Sequence, residues 1–136
     1  MAKEFKDPAA LAAHLKKAMD AQLAETLITI QSELGSTKVS PYDTGRFRSS
    51  WFASEGIPSS EVAPEGADSP NTDATGLQVD SSKTYYLTSN LPYAQAVAIE
   101  GKVVSQPTTW FTDFLNSRVP KIADTAAKVT KAAFDL

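Results

Sequence analysis

A chain of 136 residues, 42% hydrophobic but only 9% aromatic, has the length of one domain and can bury a modest core. Its formal charge of -3 and pI near 5.1 argue against a general nucleic-acid binder, which would need a clustered basic face. The absence of cysteine excludes a disulfide framework, a thiolate metal site and a cysteine nucleophile.

The opening Met-Ala-Lys-Glu-Phe-Lys is charged and leads into an amphipathic stretch without a long apolar run, so neither a signal peptide nor a membrane span is expected. Asp7 before Pro8 is a helix start: the carboxylate accepts from first-turn amides, and proline sits where its missing N–H costs nothing. Leu11, Leu15, Met19, Leu23, Leu27, Ile30 and Leu34 recur every three or four residues. They predict one helix over residues 8–34, roughly 40 Å long, closed by Gly35 in the left-handed conformation. Ile28 lies off that stripe and predicts a second contact face.

Residues 46–54 alternate around Phe47, Trp51 and Phe52 and predict a strand, with residues 84–89 as its partner and Gln78 and Val79 either extending that partner or pairing as a short third strand. Between them, residues 53–82 carry Glu55, Glu61, Glu65, Asp68, Asp73 and Asp80 against no Lys or Arg, with Pro58, Pro64 and Pro70. That composition predicts a mobile acidic loop, either functional or a solvated linker. Asn90 and Pro92 predict the start of a short helix over residues 93–100, capped by Asn90 and ended by Gly101. A second long helix is expected from Thr108 or Thr109, a capping hydroxyl, through Phe111, Leu115, Val119, Ile122, Ala126, Val129 and Ala133. Pro120 predicts a break in it near residues 116–119. The fold class expected is therefore α+β: a long N-terminal helix, a small antiparallel sheet with a long acidic hairpin loop, a short helix and a kinked C-terminal helix.

Few residues suggest chemistry. His14 has no second ligand one helical turn away and reads as a surface histidine. Asp43-Thr44-Gly45 invites comparison with aspartic proteases, whose chemistry needs two such carboxylates sharing a proton. Only one copy exists, and Arg46 would hold Asp43 ionised, so a hydrolase would require a homodimer. No Gly-rich phosphate loop and no Ser/His/Asp order is visible. No catalytic, cofactor-binding or metal-binding residue is expected, and no cofactor.

Arg46 and Arg48, two apart on a strand, would share a face. They serve either a contact with a neighbouring subunit or DNA, or pairing with local carboxylates such as Asp43 or Glu100. Trp51, Tyr85, Tyr86 and Tyr93 are either core residues or interface anchors.

Two segments carry a family signal. Asp43-Thr44-Gly45-Arg46 continues through Arg48 and Ser50 to Trp51, and about forty residues later Asn90, Pro92, Tyr93 and Ala94 lead to Ile99, Glu100 and Gly101. In this order and over roughly residues 41–101, they resemble the tailed-phage family of neck, head-to-tail joining and tail-completion proteins. The long Pro- and Asp-rich stretch between the segments departs from the simplest members. In physical terms, Thr44 and Gly45 make a tight turn that lets Asp43 cap amides or meet Arg46, and Trp51 lands in the core. Glu100 comes near the strand, where it would pair with Arg48.

The resemblance implies a virion protein of the neck or tail, made in the host cytoplasm. It implies a closed homo-oligomeric ring, commonly a hexamer, between the head connector and the tail tube. Those connector and tube proteins would be its neighbours, and double-stranded DNA would pass through the lumen without specific binding. A tail terminator ring capping the tube is the alternative within the family. An assembly adaptor absent from the particle, and a soluble hydrolase using Asp43, are the alternatives outside it.

Overall fold

The computed structural model describes residues 7–36, 46–94, 97 and 109–136. Helix α1 spans Pro8–Leu34, strand β1 spans Trp51–Glu55 and strand β2 spans Tyr85–Ser89. Helix α2, Trp110–Asp113, passes through a π-helical turn at Phe114–Arg118 into helix α3, Val119–Ala133. The architecture is α+β, with a long N-terminal helix, a two-stranded antiparallel sheet and a kinked C-terminal helix.

Helix α1 begins as its cap dictates. Asp7 is extended, and its Oδ1 accepts from the amide of Ala10 at 2.7 Å. Its end differs from expectation, because Gly35 has φ -83° and not a left-handed backbone. The glycine is needed for closeness instead: a Cβ there would lie 2.6 Å from the Cβ of Pro70. Gly35→Ala is expected to destabilise the fold by about 1–3 kcal/mol, since the added methyl must displace packed chain. Chemical denaturation would show it as a lowered midpoint, and an unchanged midpoint would mean Pro70 moves freely.

The sheet pairs Trp51 with Ser89, Ala53 with Leu87 and Glu55 with Tyr85. The first strand starts later than its alternation predicts, since residues 46–49 form a turn. Ser49 Oγ donates to the carbonyl of Arg46 at 3.0 Å, while the amide and hydroxyl of Ser50 both donate to that of Phe47. Serine side chains that bond back three residues compete with an extended ladder, so regular pairing begins only at Trp51. Gln78 and Val79 are not in a strand.

The core joins Leu34, Phe47, Trp51, Ala63, Leu91, Trp110, Phe114 and Ile122. Trp51 lies edge-on to Phe47 and stacks on Phe111 at 6.0 Å. The Nε1 of Trp110 donates to the carbonyl of Val97 at 2.8 Å. The expected break before Pro120 is the π turn. A ring nitrogen that cannot donate to residue 116 is accommodated where the helix already departs from i to i+4 bonding. Thr109 does not cap this helix; its hydroxyl donates to Asp113 at 2.9 Å.

α3 returns along α1, joined by His14 Nε2 and the carbonyl of Phe134 at 2.6 Å and by Arg118 and Glu33 at 2.6 Å. The apolar stripe of α1 is only half used. Leu27 and Leu34 are buried, but Leu11, Leu15 and Met19 remain 41%, 40% and 57% exposed. Among the described residues no helix is long and apolar enough to cross a membrane.

Candidate functional site

Three motif residues, Arg46, Arg48 and Asn90, meet on one feature, the connection between the strands. Of residues 53–82, predicted as a mobile acidic loop, residues 53–55 belong to β1; residues 56–84, called the strap here, connect the strands and follow a path over the domain. Asn90 donates through Nδ2 to the carbonyls of Ser59 at 2.6 Å and Glu61 at 3.0 Å. Arg46 Nε donates to the carbonyl of Ala63 at 2.9 Å. Arg48 Nη2 donates to that of Asp68 at 2.7 Å, and its Nη1 reaches the carbonyl of Gly35 at 3.4 Å. The strap then rounds the end of α1 at Pro70 and continues down that helix.

There it meets Gln31, a side chain 2% exposed within the apolar stripe. Gln31 Nε2 donates to the carbonyl of Trp51 at 3.1 Å and to Asp73 Oδ1 at 2.5 Å, and Oε1 accepts from the amide of Ala74 at 3.0 Å. Asp73 Oδ1 also accepts from the amide of Ala53 at 3.0 Å, so one carboxylate ties α1, β1 and the 3-10 turn Asp73–Gly76 together. Further along, Lys16 Nζ bridges Asp20 and Asp80 at 2.7 and 2.8 Å, and Asp20 accepts from the amide of Ser81 at 2.7 Å.

The strap thus owes its path to donors aimed at its backbone and to two acid side chains. Apolar burial contributes little, with Ala63 and Ala74 its buried hydrophobic residues. Composition reports only side-chain content, so it misses an ordering force that acts on carbonyl groups.

Electrostatics reinforce the last attachment. The Lys16 ammonium, then the Ser82 hydroxyl and amide, hold the Asp80 carboxyl well below the usual carboxylate range, and the two aspartates raise Lys16. A carboxyl depressed in the fold stabilises it above its ordinary value near 3.8, and that contribution is lost as pH falls further. The raised Lys16 acts in the opposite sense, its contribution being present below 10.5 and lost above its folded value. The attachment should therefore hold between these limits. Asp80→Asn should remove part of the acid sensitivity of the strap amides near Ser81, as followed by NMR; an unchanged titration would show that the bridge contributes nothing.

Several expectations change. Asn90 holds the strap through its Nδ2, where a helix cap was expected. Arg46 and Arg48 stand on a turn instead of a strand, and the Nε of Arg46 and both Nη groups of Arg48 donate to carbonyls. Trp51 is core, Tyr93 is 37% exposed, and Ser50 is fully buried, its hydroxyl 2.7 Å from that of Ser89. Pro92 and Ala94 follow the buried Leu91 through a turn closed by the Ala94 amide on the Leu91 carbonyl. Asp43, Thr44, Gly45, Ile99, Glu100 and Gly101 lie outside the described residues, and with them the Arg48–Glu100 pair and most of the short helix.

His14 lies against Phe134, with ring centroids 5.4 Å apart. Among the described residues no three His, Asp or Glu side chains converge as metal ligands would. Sequence reasoning missed Gln31, Asp73 and Lys16. Gln31 alone left a trace, as an amide set between Leu27 and Leu34 on an apolar stripe.

Comparison with protein-family models, with curated proteins and with solved structures finds no match for this chain.

Proposed function

We propose that the chain is a structural subunit of a tailed-phage particle, assembled as a ring of six copies in the neck between head connector and tail, through which double-stranded DNA passes. The observation that carries the reading is the meeting of the two motif segments. Arg46 and Arg48 from the first and Asn90 from the second all fasten one strap, so the resemblance rests on residues that act together in the fold.

The uncovered half of α1 supports the assembly. A single subunit of this size leaves Leu11, Leu15 and Met19 in water, and exposed apolar stripes of this kind are covered by partners. The net charge of -3 suits a lumen that lets DNA slide without holding it. Averaged images of purified particles test the proposal, with the protein located by antibody or tag. A closed ring in the neck is the expected result. Absence from the particle, or isolated copies on its outside, would overturn it.

A further inference from the structure

The groove that holds the strap is built to bind an extended chain by its backbone. Asn90, Arg46 and Arg48 donate to four strap carbonyls, at Ser59, Glu61, Ala63 and Asp68. Such contacts do not depend on which copy of the chain supplies the carbonyls. We infer that neighbouring copies in the assembly exchange straps, each groove holding residues 56–84 of the next subunit; this deepens the ring reading and rests on it.

Three features favour exchange. First, the strap can leave without breaking the sheet. Its ends stay joined by the pairing of Glu55 with Tyr85 and by the Gly56 amide on the Thr84 carbonyl at 2.8 Å, and Gly56 has φ +83° at the exit. Second, release uncovers little apolar surface of the strap itself, because its buried hydrophobic residues are two alanines. Third, a released strap stays extended. It carries acidic side chains with Lys83, beside β2, as its lone cation, and like charges along a chain repel.

Out and back, 29 residues give the tip of the strap a reach of at most about 50 Å, while Asp80, four residues from Thr84, reaches at most about 14 Å, so exchange requires the Lys16 of the next copy to lie that close to the root of the strap. Every bond broken in one copy is remade in the next, so the exchange is nearly neutral in contacts. Burial of the exposed α1 stripe between the copies so joined would then favour association.

The Lys16–Asp80 bridge makes the test direct. A carbodiimide condenses a lysine amine with a carboxylate in contact, forming an amide with loss of water, which the reagent takes up as a urea. Lys16→Ala cannot form the 16–80 link within its own chain, and neither can Asp80→Ala. The two variants are co-expressed, the assembly is treated with the carbodiimide, and peptides are mapped by mass spectrometry. Native mass spectrometry of the same sample gives the copy number.

Strap exchange predicts an amide between Lys16 of the Asp80→Ala chain and Asp80 of the Lys16→Ala chain. It also predicts covalent multimers in the wild type. A ring that yields the 16–80 link only within single wild-type chains, and none between the variants, overturns the exchange while leaving the ring intact. A wild-type protein that stays monomeric at millimolar concentration overturns the exchange as well, and ring images from particles then decide the wider reading separately.

Discussion

Gln31→Leu is expected to cost about 2–5 kcal/mol of stability, although leucine fills nearly the same space and suits the stripe better. The leucine leaves the Trp51 carbonyl without its amide donor and the Ala74 amide without an acceptor, and each polar group so orphaned costs about 1–3 kcal/mol. Asp73 would keep its bond from Ala53 but lose the closer one at 2.5 Å. Gln31→Glu separates hydrogen bonding from volume. Its carboxylate would face Asp73, so this variant should gain stability as the pH is lowered and the new side chain is protonated. Urea midpoints across the pH range check both. A loss below about 1 kcal/mol for the leucine variant would mean that water replaces the network without penalty.

The two tryptophans should respond differently to the same substitution. Truncation of Trp51 to alanine should cost about 3–5 kcal/mol, since the ring stacks on Phe111 and lies edge-on to Phe47 in the core. Trp51→Phe should cost about 1 kcal/mol or less: the buried Nε1 of Trp51 has no hydrogen-bond partner among the described residues, so its removal relieves an unsatisfied donor and offsets part of the lost volume. Trp110→Phe should cost about 2 kcal/mol or more, because its Nε1 serves the carbonyl of Val97. Equal losses for the two phenylalanine variants would show that ring volume alone decides.

Much of the frame was legible because it depends on local rules. The Asp7-Pro8 start, the three-and-four spacing to Leu34 and the break ahead of Pro120 each follow from backbone chemistry within a few residues. The stripe on α1 was legible too, but periodicity says which side chains share a face and not whether anything covers it. The first half of that face, at Leu11, Leu15 and Met19, is open. Residues 46–49 were read as strand because alternation ignores the serine hydroxyls that close a turn.

The attachments of the strap were the least legible. Arg46, Arg48 and Asn90 stood out by resemblance, but nothing in a sequence marks the carbonyl that a distant guanidinium will find. Asp73 looked like one acid among six. Its role depends on Gln31, 42 positions earlier, and no local rule connects them.

The widened turn at Phe114–Arg118 also sets the phase of everything after it. Phe114 and Ile122 are eight positions apart, which in a regular helix places them about 80° apart around the axis. Both are buried in the same cluster. One extra residue taken up by the π turn makes the interval behave as seven, and about 700° of rotation brings the two side chains within about 20° of each other. Beyond Ile122, Ala126 and Thr130 lie about 40° and 80° further around the axis, and both are buried on the flank of that face. The turn ahead of Pro120 therefore works as a rotational offset, aligning two helical segments of different register on a single core.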